Sequence, residues 1–308
     1  MRRVELLIDQ CRRSTDNQDF TDTTGIQDEE FLQYLNDAQE RLQALILQQH
    51  PDQFLVETEI PSVAQQEAYT LPQDAYISSR VKEVWYSHSG NPNNYYRLKK
   101  GALAERVDGI SSEPCFYLRR NNKLLLQPRP QSSGGLLRVL YQQRLPKLDK
   151  RRAVVSAVTL TGNEITSLTF DPTENIDDEA LLEEGYISIV DKYGNVQMRF
   201  IPVTAIDTTT GVVTIEPGFE FEDGEEIEVG DYALRGTFSS SHSQLPETTE
   251  RYLLKYGQWV VLKRDSNDES QESNQELKEM EAEIVSSFAD PDDSVPLIPI
   301  TDDQWFID

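Results

Sequence analysis

The feature that most constrains this chain is the stretch Thr24–His50, TGIQDEEFLQYLNDAQERLQALILQQH. Phe31, Leu32, Leu35, Ala38, Leu42, Leu45 and Ile46 recur on one face at helical spacing, which predicts one long amphipathic helix. Thr24 followed three residues later by Gln27 has the form of a capping box, and Asp28, Glu29 and Glu30 put negative charge where the helix dipole favours it. Pro51 disfavours helix at His50 and ends the run. At ~1.5 Å per residue the helix is on the order of 36 Å long. Such a stripe must be covered, and the chain offers apolar partners near both of its ends. Val4–Arg13 carries Val4, Leu7, Ile8 and Cys11 at helical spacing. Glu247–Arg264 carries Leu253, Tyr256 and Val260, and Glu269–Phe288 a thin stripe of Leu277, Met280, Ile284 and Phe288. The last two are joined at Asp265–Asp268 and predict an αα-hairpin able to pack on the long helix.

Between these helical ends the period changes to that of strands. Phe54–Ile60, Glu67–Leu71, Ser79–Tyr86, Pro114–Arg119, Lys123–Gln127 and Leu136–Gln142 read as strands, with Asn121-Asn122 closing a hairpin and a short helix around Gly101–Val107. Residues 151–235 have closer spacing. Ala153–Leu160, Glu164–Phe170, Gly185–Asp191, Asn195–Ile201, Val212–Glu216, Glu225–Val229 and Tyr232–Arg235 are short strands separated by turn pairs, the signature of a small antiparallel barrel or sandwich. Ser239–Ser243 reads as a flexible joint before helix resumes at Pro246.

The fold class is therefore α+β. An α-helical bundle is expected from the N-terminal helices and the C-terminal hairpin, with a strand-rich middle and an inserted β domain. The boundaries are 1–148, 151–235 for the insertion, 245–288 for the returning hairpin, and 289–308 for an extended tail. In that tail Pro291, Pro296 and Pro299 alternate with Leu297, Ile298 and Ile300, and the chain closes on Trp305-Phe306-Ile307. An apolar, proline-spaced tail suits docking on another subunit or a partner.

Charge is unevenly placed. Residues 1–150 hold 19 Lys and Arg against 20 Asp and Glu, whereas 151–308 hold 10 against 34, which together give the net −25. An acidic half opposes binding to nucleic-acid backbone, so no specific nucleic-acid partner is expected. No apolar run reaches ~18 residues and no membrane span is expected. Met1-Arg2-Arg3 leads into a segment broken by Glu5 and Asp9 rather than into a signal peptide. Cys11 and Cys115 match no metal spacing and read as two reduced thiols of a soluble protein made in a reducing cytoplasm.

Catalytic patterns fail on inspection. His50, His88 and His242 have no second ligand at helical spacing. Asp171–Glu183 imitates a calcium loop, but Ile176 stands where the turn glycine belongs and Leu182 where the bidentate glutamate belongs. His242 lies among serines, yet sequence neighbours seldom make a triad. No phosphate loop, dinucleotide fingerprint or nucleophile elbow is present, so neither a cofactor nor a metal is expected and the chain reads as a non-enzyme. The basic doublets Arg12-Arg13, Lys99-Lys100, Arg119-Arg120 and Arg151-Arg152 are scattered in sequence.

The order of phrases carries a resemblance. Asp28-Glu29-Glu30-Phe31-Leu32-Gln33-Tyr34-Leu35-Asn36-Asp37-Ala38 resembles the D-x-E-L-x-x-x-L-N-x-A helix of tailed-bacteriophage head-to-tail adaptor (connector) proteins. Phe54–Ile60, Tyr69-Thr70-Leu71-Pro72-Gln73-Asp74, Val81–Val84, Pro114–Tyr117, Leu124–Pro130, Arg138–Tyr141 and Leu245-Pro246-Glu247 follow in the family's order, across residues 1–148 and 245–288. The insertion at 151–235 departs from the minimal family pattern. The resemblance implies a virion structural protein at the head–tail interface, assembled in the host cytoplasm. Its copies would form a ring, usually dodecameric, that joins the portal protein to a tail nozzle or tail-fibre protein and continues the DNA channel used in ejection. It also implies no catalytic residues. In such a ring Glu269, Glu272, Glu276, Glu279 and Glu283 are the candidate channel-facing acids, and Leu297, Ile298, Ile300, Trp305, Phe306 and Ile307 the candidate docking tail. Phe31, Leu35, Ala38, Leu42 and Leu45 are the candidate core of the central helix. The alternatives are another virion ring or tail component, such as a nozzle or tail-fibre adaptor, and an unrecognised hydrolase.

Overall fold

A computed structural model describes residues 3–15, 26–76, 81–91, 94–102, 109–111, 113–171, 185–219, 227–265 and 269–288. The chain divides into two compact units, one made of Met1–Pro51 with Leu245–Asp308 and the other of Asp52–Gln244. Helices and strands thus segregate, giving a mixed α+β chain with four α-helices among the described residues.

In the first unit, α1 (Val4–Ser14) buries Val4, Leu7, Ile8 and Cys11 as its spacing requires. The long helix α2 (Asp28–Gln49) starts later than the capping box suggests: its N-cap is Gln27, with no side-chain cap bond, and Thr24 lies outside the described residues. Asp28 instead pairs with Arg12 of α1, whose guanidinium also lies over the Phe31 ring at 5.7 Å. Acid in the first turn therefore serves an inter-helix ion pair as well as the dipole. Phe31, Leu32, Leu35, Ala38, Leu42 and Ile46 are buried, and Leu45 is only half-buried at the margin of the stripe. α3 (Glu250–Arg264) follows a 3₁₀ turn at Glu247–Thr249 whose N-cap is Pro246, and buries Tyr252, Leu253, Gly257 and Val261. Gly257 admits the Cys11 thiol, since a Cβ there would lie 3.1 Å from Sγ. Burial pushes that thiol up to about 12, so Cys11 is a packed apolar group and not a reactive one. α4 (Glu269–Ser287) turns Leu277, Ile284 and Val285 inward, leaving Met280 and Phe288 half-buried.

The second unit is built of strands. β1 (Leu55–Pro61), β3 (Glu83–Ser87), β4 (Tyr96–Arg97) and β10 (Leu136–Gln142) form a sheet in the order β1-β10-β3-β4. β2 (Ala68–Thr70), β5 (Lys99–Lys100), β7 (Phe116–Arg120) and β8 (Lys123–Gln127) form another in the order β2-β8-β7-β5. The hairpin turn of β7 and β8 falls at Asn121, whose φ of 53° suits asparagine better than a branched residue. β6 (Ile110–Ser111) and β9 (Arg129–Pro130) add a short parallel pair. Tyr69, Val84, Tyr86, Tyr117, Leu124, Leu126, Leu137 and Val139 form one core shared by the two larger sheets.

The strands after residue 150 close on themselves. β12 (Ala153–Thr161), β13 (Glu164–Phe170), β14 (Tyr186–Val190), β15 (Val196–Asp207), β16 (Val212–Ile215) and β17 (Tyr232–Arg235) make a closed barrel in the order β12-β13-β16-β15-β14-β17. Alternate inward residues, among them Ile165, Leu168, Phe170, Ile187, Ile189, Met198 and Ile201, fill it. A closed barrel is thus the form that the barrel-or-sandwich expectation takes. Residues 227–229 are not strand, although Ile227 joins the barrel core, and Gly101–Val107 lies mostly outside the described residues.

The expected flexible joint at Ser239–Ser243 is overturned. Ser239–Ser240 is strand β18, parallel to β11 (Lys147–Leu148), and Ser239, Ser240, Ser241, His242 and Ser243 are all buried. Small hydroxyl residues read as linker in isolation, but here their side chains bond to backbone, as in Ser240 Oγ donating to Gly194 O at 2.8 Å. Gly194 sits at φ 87° with its Cα against the His242 ring, where a Cβ would lie 2.3 Å from Nδ1.

Leu35→Ala should lower unfolding free energy by about 2–5 kcal/mol in urea melts, and Leu45→Ala by clearly less. Equal losses would contradict the burial pattern of α2.

Candidate functional site

Two sets of acidic side chains stand out, one exposed and one buried. On α4, Glu272, Glu276, Glu279 and Glu283 are all exposed along one face, and the side chain of Glu269 lies outside the described residues. Spacing of three and four residues places the row there. Glu276 meets Lys255 of α3 at 2.6 Å, and the hydrogen bond to that ammonium holds its carboxyl below the usual range. Gln275 donates to Glu279 at 3.0 Å.

Glu281, on the inward side of the same helix, behaves differently. It accepts a hydrogen bond from Tyr252 OH at 2.8 Å and an ion pair from Arg41 Nε at 2.8 Å, so it ties α4 to α3 and α2. Burial, and then the bond to Glu281, push the Tyr252 phenol far above its ordinary range. Sequence reading passed over Glu281, though its place four residues after Leu277 and four before Val285 puts it on the packed face. His50 Nε2 lies 3.0 Å from Val285 O, so the last turn of α2 meets α4 as well.

In the second unit Asp74 is a buried carboxylate at the junction of the sheets and the barrel. Tyr141 OH donates to it at 2.9 Å, Gln143 Nε2 at 2.6 Å, and Arg199 NH1 at 2.5 Å. Arg199 reaches it because β15 carries an extra residue there. Ile187 pairs with Ile201 but Ile189 with Met198, and Phe200 takes a φ of 59°. A bulge of this kind re-aims a side chain at a cost of about 1–2 kcal/mol for a non-glycine residue at positive φ. Burial, then the Asp74 charge, raise the Tyr141 phenol above its usual range. Asp74 and Arg199 are 125 positions apart, and nothing in one sequence announces their pairing.

Ser241 Oγ lies 3.0 Å from His242 Nδ1, the contact a serine nucleophile and its base would make. Both residues are buried and the imidazole is packed against Gly194. Among the described residues no group of three or more His, Cys, Asp or Glu could hold a metal ion, and no described helix is long and apolar enough to cross a membrane. The calcium-like loop falls almost wholly outside the described residues, as do Leu297, Ile298, Ile300, Trp305, Phe306 and Ile307 of the tail.

The described residues thus form a mixed scaffold of four helices tied by acid–base contacts, a two-sheet platform and a closed barrel. The chain belongs to the SU10 adaptor protein family, whose model matches residues 3–163, from α1 to the first hairpin of the barrel. No curated protein matches it.

Asp74→Ala should cost roughly 2–3 kcal/mol in urea unfolding, less than for a fully buried pair because Arg199 is over a third exposed. A loss within about 0.5 kcal/mol would show that the junction is ornamental. Tyr69, Tyr96, Tyr117, Tyr141, Tyr252 and Tyr256 all have raised pKa values, with burial the first cause of each. Their neutral forms are favoured in the folded state, so the stability they contribute is complete below the unfolded value of about 10 and is lost as pH rises past it. Absorbance titration should show these phenols ionising together with loss of near-UV dichroism; gradual ionisation of every tyrosine in the intact fold would refute this.

Proposed function

We propose that this chain is a head-to-tail adaptor of a tailed-phage virion, assembling as a ring, dodecameric as the family resemblance implies, between portal and tail. The family match over residues 3–163 carries the reading. On it, the unit formed by Met1–Pro51 and Leu245–Asp308 is a helical bundle with a C-terminal hairpin, and α2 is its central strut. The barrel is an insertion between the adaptor core and the returning helices, and the residues from 289 onward are a tail that docks on portal through Leu297, Ile298, Ile300, Trp305, Phe306 and Ile307. Proline spacing pre-extends such a tail, which lowers the ordering cost of docking.

The exposed acids Glu272, Glu276, Glu279 and Glu283, with Glu269, face the DNA channel in this reading. A wall of like charge lets duplex pass without adhesion, since each phosphate contact it fails to make is a counterion it fails to release. The opposite face of the ring receives a tail nozzle or tail-fibre protein, and the assembled ring retains packaged DNA until ejection. The protein acts by binding rather than by catalysis, a view supported by the burial of Ser241 and His242.

Negative-stain images of the purified protein mixed with portal should show rings seated on the portal, and deletion of Asp290–Asp308 should abolish that attachment. A monomer that never joins portal would overturn the reading, and undiminished binding after the deletion would remove the tail from it.

A further inference from the structure

We infer that the free edge of β1 is a docking site for an added strand, and that it takes an extended segment of a different polypeptide in which basic and apolar side chains alternate. Among the described residues β1 pairs with β10 alone and ends its sheet. Gln143 N donates to Phe54 O at 2.8 Å and Ser62 N to Gly135 O at 2.8 Å, which fixes the alternation of the ladder. Val56, Thr58 and Ile60 therefore exchange bonds with β10, and Leu55, Glu57 and Glu59 turn their N–H and C=O groups outward. Pro61 adds an outward C=O but has no N–H. The other open edges of the two larger sheets are short, three residues in β2 and two each in β4 and β5, and the barrel closes on itself. With seven residues, β1 is the longest open edge among the described residues.

Proteins guard such an edge with charge and proline, and Glu57, Glu59 and Pro61 are residues of that kind. The two carboxylates, however, are held away from the edge. Arg138 of β10 meets Glu57 through Nε at 3.0 Å and Glu59 through NH2 at 3.0 Å. Tyr95 OH donates to Glu59 at 2.7 Å, and the Arg138 guanidinium lies over the Tyr95 ring at 4.1 Å. Both partners come from the paired side of β1, so the carboxylates lean over the sheet rather than over its open edge.

The occupant follows from the strand that β1 already accepts. On its paired side Glu59 faces Arg138, Thr58 faces Val139 and Ile60 faces Leu137, so a cation alternates with apolar groups. The two edges of a strand share the same two faces, and the free side therefore calls for the same pattern. On the outer face two carboxylates share a single guanidinium, which leaves one negative charge for a cation on the added strand. On the inner face Val56 and Ile60 pack on the margin of the platform core and stay half-buried, so apolar residues on that strand would cover them. A two-fold pairing of β1 with a second copy of itself sets Glu57 and Glu59 against the same acids, like charge on like, which disfavours that occupant. The edge keeps these properties whether or not the chain joins a portal.

The test titrates the full, isotopically labelled chain with a capped peptide as long as β1 that alternates lysine with valine, and follows backbone amide exchange. Saturating peptide should slow exchange at Glu57 and Glu59 by roughly tenfold or more and leave Val56, Thr58 and Ile60, already bonded to β10, unchanged. A peptide alternating glutamate with valine should give no protection. Glu57→Pro removes an outward N–H that β10 does not use, so this variant should keep the wild-type thermal melt and lose peptide binding. Glu57→Lys should shift the preference toward the glutamate peptide, which keeps the test decisive if the proline variant unfolds. No protection up to the solubility limit of the lysine peptide, equal protection by both peptides, or protection confined to β2 or β5 would each overturn the inference. Protection of Glu57 and Glu59 in the concentrated chain without peptide would assign the edge to a second copy and overturn it as well.

Discussion

The apolar stripe of α2 is the constraint on which the first unit depends. A helix of 22 residues with Phe31, Leu35, Ala38, Leu42 and Ile46 on one side cannot remain in water, and among the described residues of the next two hundred no helix is long enough to cover it. The chain satisfies it by bringing α1 from before and α3 and α4 from after the strand-rich part into one unit. The chain leaves that unit after Pro51 and rejoins it at Leu245.

Electrostatics divides the acids into two populations with opposite roles. Exposed ones, such as Glu272, Glu279 and Glu283, contribute charge and little stability. Acids drawn wholly or partly out of water orient elements. Glu281 draws Arg41 and Tyr252 onto α4, and Asp74 draws Arg199, Gln143 and Tyr141 to the barrel junction. Their worth lies in direction as much as in energy, because a desolvated carboxylate tolerates few arrangements of its donors. The barrel accepts a bulge at Phe200 to present Arg199, and Gly194 gives up its side chain to admit His242. Both are local costs accepted for a contact distant in sequence.

Much of the local structure was legible. Period and turn chemistry place α1, β10 and β13 almost residue for residue, and Asn121-Asn122 marks its hairpin. Barrel strands are legible because alternation over a filled interior is a strong local signal. Where reading failed, the deciding partner was remote. Ser239–Ser243 has the composition of a joint, yet β11 and Gly194 turn it into a buried strand. Thr24 and Gln27 look like a capping box, but Arg12 claims Asp28 and the helix begins without a side-chain cap.

The sequence by itself determined the helical ends, the alternating strands between them, the charge asymmetry of −1 against −24 about residue 150 and the ordered phrases of the adaptor family. These depend on neighbours within a few residues or on simple counting. Tertiary structure alone decided that the barrel closes, that Asp74 meets Arg199, that Glu281 faces inward, and that Lys99-Lys100 and Arg119-Arg120 share a sheet margin. Each of these joins positions far apart in the chain. Hydrogen bonding and charge pairing act over a few ångströms whatever the separation in sequence, so a single sequence carries no local trace of them.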